Sequence, residues 1–499
     1  MTKRALISVY DKTGIVEFSR DLIKSGYEII STGGTAKTLT DAGLSVIEVS
    51  DVTQFEEILD GRVKTLHPSI FAGILAKEAQ LGEIEKLLIS PIDLVVVNLY
   101  PFEEASKKDF IMTDLVEYID IGGVSLLRAA AKNFERVSVL SSPSQYGGFL
   151  KSEKTLEYRQ SLAKEAFLHT SKYDSIIANS FAPSATLPEN LNLSLVKKEE
   201  LRYGENPHQK AALYKFDTEV DYEILNGKAL SYNNLVDVAA ALDIVSEFYD
   251  VSAVSIIKHN NPCGVALGAD IHDAYLKAFD CDPISAFGGI IAFTQKVTLD
   301  IAKHASNVFL EVLVAPDFAP DALELLSQKK NLRIIKLNTK LDDYKKLKSL
   351  EVKALPFGVL VQDADVKDLD KDTFKVVSKK KPTQEQLEDM IFAWKVAKYA
   401  KSNAIVVAKD KKTIGIGIGQ TSRVGSVEIA LNQACDDTKD AVIASDGFFP
   451  AVDNIYAAAQ GRIGAIIQPG GSIKDKDVIE ECDKYEISMI TTGIRHFKH

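Results

Sequence analysis

The densest chemical signal in the sequence is an adjacent lysine and histidine at the end of an apolar run. Lys258 and His259 follow Ser255-Ile-Ile, and Asn260-Asn261-Pro262 then break the pattern. A neighbouring cation lowers the pKa of an imidazole and can also face an oxyanion. The neutral imidazole can then accept a proton. The pair predicts proton transfer at a strand end, and the alternative of a strand-end pair with no chemical role stays open.

A second signal is a glycine turn near the N-terminus. Ser31, Thr32, Gly33, Gly34 and Thr35 follow an apolar run and precede a helical pattern. Two glycines allow a sharp turn that exposes consecutive N–H groups at a helix N-terminus, which suits a phosphate. The alternative is a strand-to-helix turn capped by Thr35. It is not a nucleotide P-loop, because the GxxxxGK[ST] spacing is missing.

Charged and aromatic residues between 62 and 132 could complete a site beside this turn. Arg62 and Lys64 share one face of an extended segment that ends at a proline, although a solvated loop is the alternative. Tyr100 ends a strand pattern, and Asp120 opens a helical pattern that contains Lys132. Tyrosine, aspartate and lysine form an acid–base set, whereas a lone aspartate at that position is often a helix cap.

The second half of the sequence contains polar, turn-rich segments that interrupt apolar runs. The aromatic residues near 448 are ambiguous between core and a stacking platform. The glycines of GIGIGQ (415–420) fail the GxGxxG spacing and predict a strand with a close backbone approach. The polar segments are Arg202–Gln209, Asp282–Gly289, Ser445–Pro450 and Asp453-Asn454.

Metal catalysis is not expected. A zinc deaminase needs HxE followed by PCxxC, whereas His259 is followed by two asparagines and Pro262-Cys263 has no cysteine at 266. None of the eight histidines begins an HxE or lies in HExxH.

Composition restricts the class of protein. The chain has 499 residues, which suggests two to four domains, and its net charge of -11 argues against a general binder of nucleic acid or of anionic membranes. It does not exclude a small anionic ligand held by local cations. Four widely spaced cysteines, the absence of a signal-peptide core and the absence of a long apolar stretch predict a soluble protein of the reducing cytoplasm.

In the first 140 residues the elements that position these residues alternate between strands and helices, which predicts an α/β unit with a mainly parallel sheet. A second α/β region is expected in the C-terminal part of the chain. Strands are expected at 4–10, 27–31, 45–49, 92–100 and 136–141, with helices at 13–26 and 35–43 that glycines close. A pattern lapse at 182–200 predicts a domain boundary. Further strands are expected near 251–257, 290–294, 403–408, 413–418, 441–444, 462–467 and 487–491. The lysine-rich stretch 328–351 is interpreted as a solvated excursion, and no short repeat is visible.

In this order the motifs resemble one family, the bifunctional purine-biosynthesis enzymes that combine AICAR transformylase and IMP cyclohydrolase. The resemblance covers residues 1–499. Tyr10 departs from the family, which often has a serine there. The resemblance rests on SVYDKTG, STGGTA, RVKTLHP, NLYPF, DIGG…AAAKN, RYGENPHQ, KHNNPCG, DPISAFGG, SNA, GQTSR, SDGFFP…DN and RHFKH.

The resemblance implies an α/β architecture of two domains. Residues 1–190 would form a methylglyoxal-synthase-like cyclohydrolase domain. Residues 191–499 would form the transformylase, built from two cytidine-deaminase-like lobes without their zinc. It also implies a homodimer with transformylase sites at the interface, no metal, no nucleic-acid partner and no membrane partner. The small molecules expected are AICAR, FAICAR, IMP and the co-substrate 10-formyltetrahydrofolate.

The resemblance also implies roles for individual residues. Catalytic positions would be Lys258, His259 and Asn403 for formyl transfer, and Lys64, Tyr100, Asp120 and Lys132 for ring closure. Substrate would contact Lys12, Ser31, Thr32, Gly33, Gly34, Thr35, Arg62, Thr65, Arg202, Tyr203, Gly288, Gln420, Arg423, Arg495 and Phe497. The folate would contact Ile284, Phe448, Pro450, Asp453 and Asn454.

The chemistry of formyl transfer fits these residue types. His259 would remove the proton of the AICAR amine as the amine attacks the formyl carbon, while Lys258 and Asn403 stabilise the oxyanion. Two rival functions stay open: a zinc-type nucleoside deaminase fused to a small regulatory domain, and a ligand-sensing or scaffold protein that has lost its chemistry.

Overall fold

The computed structural model describes residues 2–59, 61–108, 110–181, 187–216, 220–347, 350–369 and 373–499. The chain divides into two compact units, Met1–Ser194 and Leu195–His499. This division lies within the stretch 182–200 where the sequence pattern lapses. Residues 182–186 of that stretch lie outside the described residues.

The first unit is built on a five-stranded parallel sheet. Its strands are Lys3–Val9 (β1), Tyr27–Ser31 (β2), Ile47–Glu48 (β3), Leu94–Asn98 (β4) and Ser138–Leu140 (β5). The strand order is β3-β2-β1-β4-β5, and every pair is parallel. Because helices cover both faces of such a sheet, its central strands are continuous apolar runs. All five expected strands are present, and those expected at 45–49, 92–100 and 136–141 are shorter than predicted.

Helices surround this sheet, and two of them end at glycines as predicted. Gly26 and Gly43 follow the first two helices with φ of 86° and 77°, the left-handed conformation that a helix C-terminus favours. The helices are Ile15–Lys24 (α1), Gly33–Asp41 (α2), Val49–Thr53 (α3), Pro68–Leu75 (α4), Leu81–Lys86 (α5), Phe102–Ser106 (α6), Met112–Leu115 (α7), Gly122–Lys132 (α8), Tyr146–Lys151 (α9) and Leu156–Ser180 (α10).

The second unit contains a twelve-stranded mixed sheet and two separate hairpins. The hairpins are Val196–Leu201 (β6) with Ala211–Lys215 (β7), and Leu350–Leu355 (β14) with Gly358–Asp363 (β15). The strands of the large sheet are Tyr222–Asn226 (β8), Ala253–Lys258 (β9), Asn261–Leu267 (β10), Ile290–Phe293 (β11), Val312–Ala315 (β12), Arg333–Leu337 (β13), Lys375–Val376 (β16), Ile405–Lys409 (β17), Lys412–Gly417 (β18), Val442–Ser445 (β19), Ala465–Gln468 (β20) and Ser488–Thr491 (β21).

Ten helices of the described residues pack on this sheet. Two of them, α11 and α17, share one face in a single apolar core. The helices are Tyr232–Ser246 (α11), Ile271–Cys281 (α12), Pro283–Ala286 (α13), Leu299–Ser306 (α14), Pro320–Ser327 (α15), Leu341–Lys346 (α16), Gln384–Ala397 (α17), Arg423–Ala434 (α18), Asp453–Gln460 (α19) and Asp475–Lys484 (α20).

The large sheet is two copies of one six-stranded arrangement. From the centre outwards one half runs β10-β9-β11-β12-β13-β8 and the other runs β18-β17-β19-β20-β21-β16. In both halves the successive pairs are antiparallel, antiparallel, parallel, parallel and antiparallel. The halves meet through β10 and β18, which pair at Ala266 and Lys412.

Local details repeat between the halves. A capping box begins α11 at Ser231 and α17 at Thr383. Gly264 in β10 and Gly415 in β18 each lie against a following helix, so that a Cβ would come within 1.9 Å of a helix carbonyl oxygen. The strand expected at GIGIGQ is therefore confirmed, together with its close backbone approach.

The interpretation of residues 328–351 as a solvated excursion is wrong. Strand β13 lies in that stretch and is largely buried beside β12, and helix α16 follows it. Four of the five residues of β13 are buried, and only Lys336 is partly exposed. Arg333 is buried with its guanidinium paired to the Glu311 carboxylate. Residues 348 and 349 lie outside the described residues.

No helix among the described residues is both long and apolar enough to cross a membrane.

The close approach of Gly415 to helix α18 predicts that a larger side chain at this position destabilises the protein. Gly415→Ala places a methyl group against the Ala430 carbonyl oxygen and should cost about 1–3 kcal/mol of unfolding free energy, the usual effect of overpacking. Urea denaturation followed by circular dichroism measures it. The control is Gly82→Ala, whose Cβ would point into open space. Equal stability of the two variants would contradict the prediction.

Candidate functional sites

The first candidate site lies at the carboxyl edge of the five-stranded sheet. Strands β1, β2 and β4 run parallel, so the residues that follow Val9, Ser31 and Asn98 meet at one edge. Ligands of α/β sheets bind at this edge. The sequence predicts functional residues at these strand ends, and the topology brings those segments together.

Two hydroxyls of the glycine turn hold the turn to β1. The Ser31 hydroxyl donates to the Ile7 carbonyl at 2.7 Å, and the Thr35 hydroxyl donates to the Val9 carbonyl at 2.9 Å. These side chains therefore serve the fold. The N–H groups of Gly33 and Gly34 lie in the first turn of α2, where no intrahelical acceptor is available to them.

Two ammonium groups flank the turn. An ideal Cβ on Gly33 would lie 3.4 Å from Lys64 Nζ, and one on Gly34 would lie 3.9 Å from Lys12 Nζ. Lysine charges beside free N–H groups suit an anion. The Arg62 guanidinium forms an ion pair with the Glu117 carboxylate.

A cavity of about 570 Å³ opens beside the turn. Besides the predicted Thr32, Gly33 and Lys64, it is lined by residues that sequence reasoning missed, because no spacing distinguishes them from ordinary surface. These are Lys37, Thr40, Asp41, Glu48, Val49, Ser50, Phe55, Glu56 and Glu57.

Asp120 and Tyr100 form the acid–base part of this site. Asp120 Oδ1 accepts a hydrogen bond from the Gly123 N–H at 2.7 Å, so the residue is a helix cap, and its carboxyl also accepts from the Tyr100 N–H. Burial raises the pKa of the Asp120 carboxyl, and the nearby Lys64 charge opposes that rise. Burial, and then the Asp120 charge, raise the pKa of the Tyr100 hydroxyl. Thr65 Oγ1 lies 3.1 Å from an ideal Cβ on Gly122 and completes the cluster.

Tyr173, on helix α10, contacts the backbone of Asp120 and the ring of Phe102, which lies close to Tyr100 in the chain. Its hydroxyl accepts from the Asp120 N–H at 2.9 Å and donates to the Tyr118 carbonyl at 2.9 Å. Its ring packs edge-on against Phe102, two residues after Tyr100, with centroids 6.3 Å apart. Sequence reasoning missed this residue, because nothing in the pattern of a long helix marks it.

The structure does not bring Lys132 to this cluster. Lys132 is exposed in the last turn of α8, whereas Asp120 caps the first turn. At 1.5 Å per residue the two helix ends are about 15 Å apart. The short connection to β5 places Lys132 near the opposite edge of the sheet.

The second candidate site lies along the ends of several central strands of the twelve-stranded sheet. The end of β9 lies beside the start of β11, and the start of β17 lies beside the ends of β18 and β19. This register gathers the segments that contain Lys258, Gly288, Asn403, Gln420 and Ser445.

The Lys258–His259 pair lies at a two-residue hairpin turn. His259 and Asn260 have φ of 55° and 63°, as a type I′ turn requires. Lys258 Nζ donates to the Phe287 carbonyl at 2.7 Å. Asn261 Oδ1 accepts from the Lys401 N–H at 3.2 Å, which ties the hairpin to the segment before Asn403.

The segment that contains the substrate candidate Gly288 and the folate candidate Ile284 lies beside the hairpin. Gly288, with φ of 73°, donates its N–H to the Phe309 carbonyl at 2.7 Å. Ile284, on the short helix α13, is almost fully exposed.

Asn403 is held by a buried ion pair. Arg423 Nη2 donates to Asn403 Oδ1 at 2.6 Å, and Asn403 Nδ2 donates to the Gln420 carbonyl at 2.9 Å. The Arg423 guanidinium also pairs with the Asp446 carboxylate, which accepts from the Ser402 hydroxyl. Arg423, for which a substrate contact is predicted, is only 6% exposed, and its guanidinium contacts the Asn403 amide.

The C-terminal residues join this cluster. The Arg495 guanidinium lies 4.3 Å from the Phe497 ring centroid, and the His496 N–H donates to the Asp446 carbonyl at 3.0 Å. Gly447 permits the approach, because a Cβ there would lie 2.6 Å from Phe497 Cε1.

Burial separates the two phenylalanines at 448 and 449, which the sequence left ambiguous between core and a stacking surface. Phe449 is fully buried core, whereas Phe448 is partly exposed and Pro450 is exposed. Asp453 is exposed in the first turn of α19. Asn454 is buried, and its Oδ1 has no hydrogen-bond partner among the described residues.

Arg202 and Tyr203 lie on a different element. They follow β6 of the separate β6–β7 hairpin, with the Arg202 guanidinium 5.4 Å from the Tyr203 ring centroid. The same loop is tied to α11 by Asn233 Nδ2, which donates to the Glu205 carbonyl at 3.2 Å.

Among the residues that the structure describes, no group of three histidine, cysteine, aspartate or glutamate side chains could hold a metal ion.

Comparison with known proteins identifies the family. Residues 130–433 match the AICARFT/IMPCHase bienzyme model, and residues 14–125 match the model of the MGS-like domain. The chain is 50% identical to the bifunctional purine biosynthesis protein PurH of Caldicellulosiruptor saccharolyticus and 49% identical to that of Acetivibrio thermocellus. All of each chain is covered in both comparisons. The crystal structure of ForH is 35% identical over 36% of this chain and 99% of its own, with a TM-score of 0.33.

The family match spans most of the chain and the relatives match it throughout, so the predicted resemblance and the expected methylglyoxal-synthase-like domain are confirmed. The chain belongs to the bifunctional AICAR transformylase/IMP cyclohydrolase family of purine biosynthesis.

Proposed function

We propose that residues 1–190 carry the cyclohydrolase and residues 191–499 carry the transformylase. The observation that supports this division is that the two clusters of chemically suitable residues lie in separate compact units. The chain would first transfer a formyl group from 10-formyltetrahydrofolate to AICAR and then close the product, FAICAR, to IMP. The test is an absorbance assay for IMP formed from AICAR and 10-formyltetrahydrofolate.

In formyl transfer, His259 acts as general base. The 5-amine of AICAR is a weak nucleophile because its lone pair is conjugated with the ring, so removal of its proton during attack lowers the barrier. Tetrahydrofolate leaves as the tetrahedral intermediate collapses. Lys258 and Asn403 face the oxyanion, and the Arg423–Asp446 pair supports that role because it fixes the Asn403 amide.

Both substrates bind along the strand ends that form this site. Arg202, Tyr203, Gly288, Gln420, Arg495 and Phe497 contact AICAR, with Arg423 acting through Asn403. The folate lies against Ile284, Phe448, Pro450, Asp453 and Asn454. A homodimer completes the transformylase site, which accounts for the position of Arg202 and Tyr203 on a separate hairpin.

In ring closure, the carboxamide nitrogen of FAICAR attacks the formyl carbon and water leaves. The phosphate binds the N–H groups of Gly33 and Gly34 between Lys12 and Lys64. Asp120 is suited to hold a proton, because burial raises its pKa, and it lies beside Tyr100. The role predicted for Lys132 has no such support, since it lies at the far end of α8.

His259→Ala should lower formyl transfer by about 10²–10⁴-fold, the usual contribution of a general base, and should leave FAICAR cyclisation unchanged. The two half-reactions are assayed separately. His272→Ala, a histidine on the first turn of α12, is the control. Loss of both activities in a folded His259→Ala protein would contradict the division of labour.

Lys64→Ala should impair FAICAR cyclisation and leave formyl transfer intact, the reverse of His259→Ala. Loss of its charge beside Gly33 and Asp120 should lower FAICAR cyclisation by about 10²-fold, as for the loss of one electrostatic contact in an active site. Formyl transfer should be retained, and Lys24→Ala, an exposed lysine of the same unit, is the control. A variant with normal cyclisation would exclude Lys64 from the reaction.

Tyr173→Phe removes the hydroxyl that bridges Asp120 and Tyr118. Cyclisation should fall about tenfold, because misplacement of a reacting group by a fraction of an ångström is costly. The control is Tyr146→Phe, whose buried hydroxyl has no hydrogen-bond partner among the described residues. The prediction is wrong if the two variants cyclise FAICAR at the same rate.

The rival functions are tested by simple measurements. A metal assay that found stoichiometric zinc would favour the deaminase. Calorimetric binding of AICAR without any formyl transfer would favour the sensor or scaffold.

A further inference from the structure

We propose that Asp237 is a positioning residue for formyl transfer, because it fixes the hairpin turn that presents His259. This inference rests on the catalytic role proposed above for the Lys258–His259 pair. Asp237 lies on α11, outside every sequence motif assigned to the sites.

The contact is made to the backbone of the turn itself. Asp237 Oδ1 accepts from the Asn260 N–H at 2.6 Å, and the carboxylate also accepts from the His259 N–H. Both turn residues are non-glycine with positive φ, a conformation that costs about 1–2 kcal/mol for each residue. A carboxylate that accepts both N–H groups offsets that cost and holds the turn in one conformation.

The other half of the sheet contains the same arrangement without the histidine. Asp389, on α17, accepts from the Asp410 N–H at 3.0 Å and from the Lys411 N–H at 2.7 Å. These two residues also have positive φ and join β17 to β18. Asp237 and Asp389 are each six residues after the residue that caps their helix.

The duplication separates a structural role from a functional one. Both carboxylates stabilise a hairpin, but only one hairpin carries an imidazole at the proposed catalytic edge. The other contacts of the active hairpin are made by its neighbours: Lys258 to the Phe287 carbonyl, and Asn261 to the Lys401 N–H. Within the hairpin, Asn261 Nδ2 donates to the His259 carbonyl at 3.1 Å. Asp237 contacts the other side of the turn, because its carboxylate accepts from the Asn260 and His259 N–H groups.

The experiment compares Asp237→Asn with Asp389→Asn in the full chain. Each change replaces a carboxylate by an amide at the same place in the fold, so both should lower the urea midpoint by similar amounts. Only Asp237→Asn should lower kcat for formyl transfer, by about 10–100-fold, with KM for AICAR changed less than threefold. Asp389→Asn should stay within twofold in kcat, and FAICAR cyclisation should be unchanged in both.

Two further variants make the test decisive. Asp237→Glu keeps the acceptor and should retain more kcat than Asp237→Asn. It also serves if Asp237→Asn does not fold. Asp237→Asn added to His259→Ala should cause no further loss, because the carboxylate acts through the histidine.

Three results would overturn the inference: equal kcat losses in Asp237→Asn and Asp389→Asn, an Asp237→Glu variant as slow as a folded Asp237→Asn, or a further loss in the His259→Ala background. Normal formyl transfer by His259→Ala alone would instead refute the proposed function of the pair.

Discussion

Strand pairing decides which distant segments of this chain become neighbours, and both candidate sites depend on it. In the first unit, parallel pairing of β1 with β2 and β4 places Tyr10, the glycine turn and Tyr100 at one edge. In the second unit, antiparallel pairing of β17 with β18 and β19 places Asn403 beside Gln420 and Asp446. The apolar strands that form these sheets are thus also what positions the polar residues at their ends.

Buried polar contacts then fix the side chains at those edges. The Arg423–Asp446 pair is the strongest case, because both side chains are buried and also form hydrogen bonds with the Ser445 and Ser402 hydroxyls. Such a pair contributes little net stability compared with apolar packing, but loss of one partner leaves a buried charge and costs about 3–5 kcal/mol. In this site the Arg423–Asp446 pair holds the Asn403 amide in one orientation. Tyr173 and Asp237 contact the backbone instead: the Tyr173 hydroxyl accepts from the Asp120 N–H, and the Asp237 carboxylate accepts from the Asn260 and His259 N–H groups.

The internal duplication places the same local arrangement at two hairpins of the large sheet. Both halves of the large sheet use a capped helix, a carboxylate and a two-residue hairpin with positive φ. The two hairpin turns, His259-Asn260 and Asp410-Lys411, have no residue type in common. Because the repeated features are backbone conformations and hydrogen bonds, a search for short repeats in the sequence does not reveal them.

The sequence by itself determined the family, many of the local elements and the segments proposed to form the sites. Apolar runs predicted the five strands of the first unit and, in the second unit, β9, β11 and β17 to β21. They did not predict β8, β10, β12, β13, β16 or the two separate hairpins. Glycines predicted the ends of α1 and α2, and a dozen motifs in order indicated the family. The lysine-rich stretch around β13 was misinterpreted because its charges were weighed above the apolar residues Ile334, Ile335 and Leu337. Only the tertiary structure separated Lys132 from Asp120, buried Arg423, and revealed Tyr173, Asp237 and Asp389. The physical reason is that such contacts join residues far apart in the chain, and strand register and helix packing set them without leaving a local pattern.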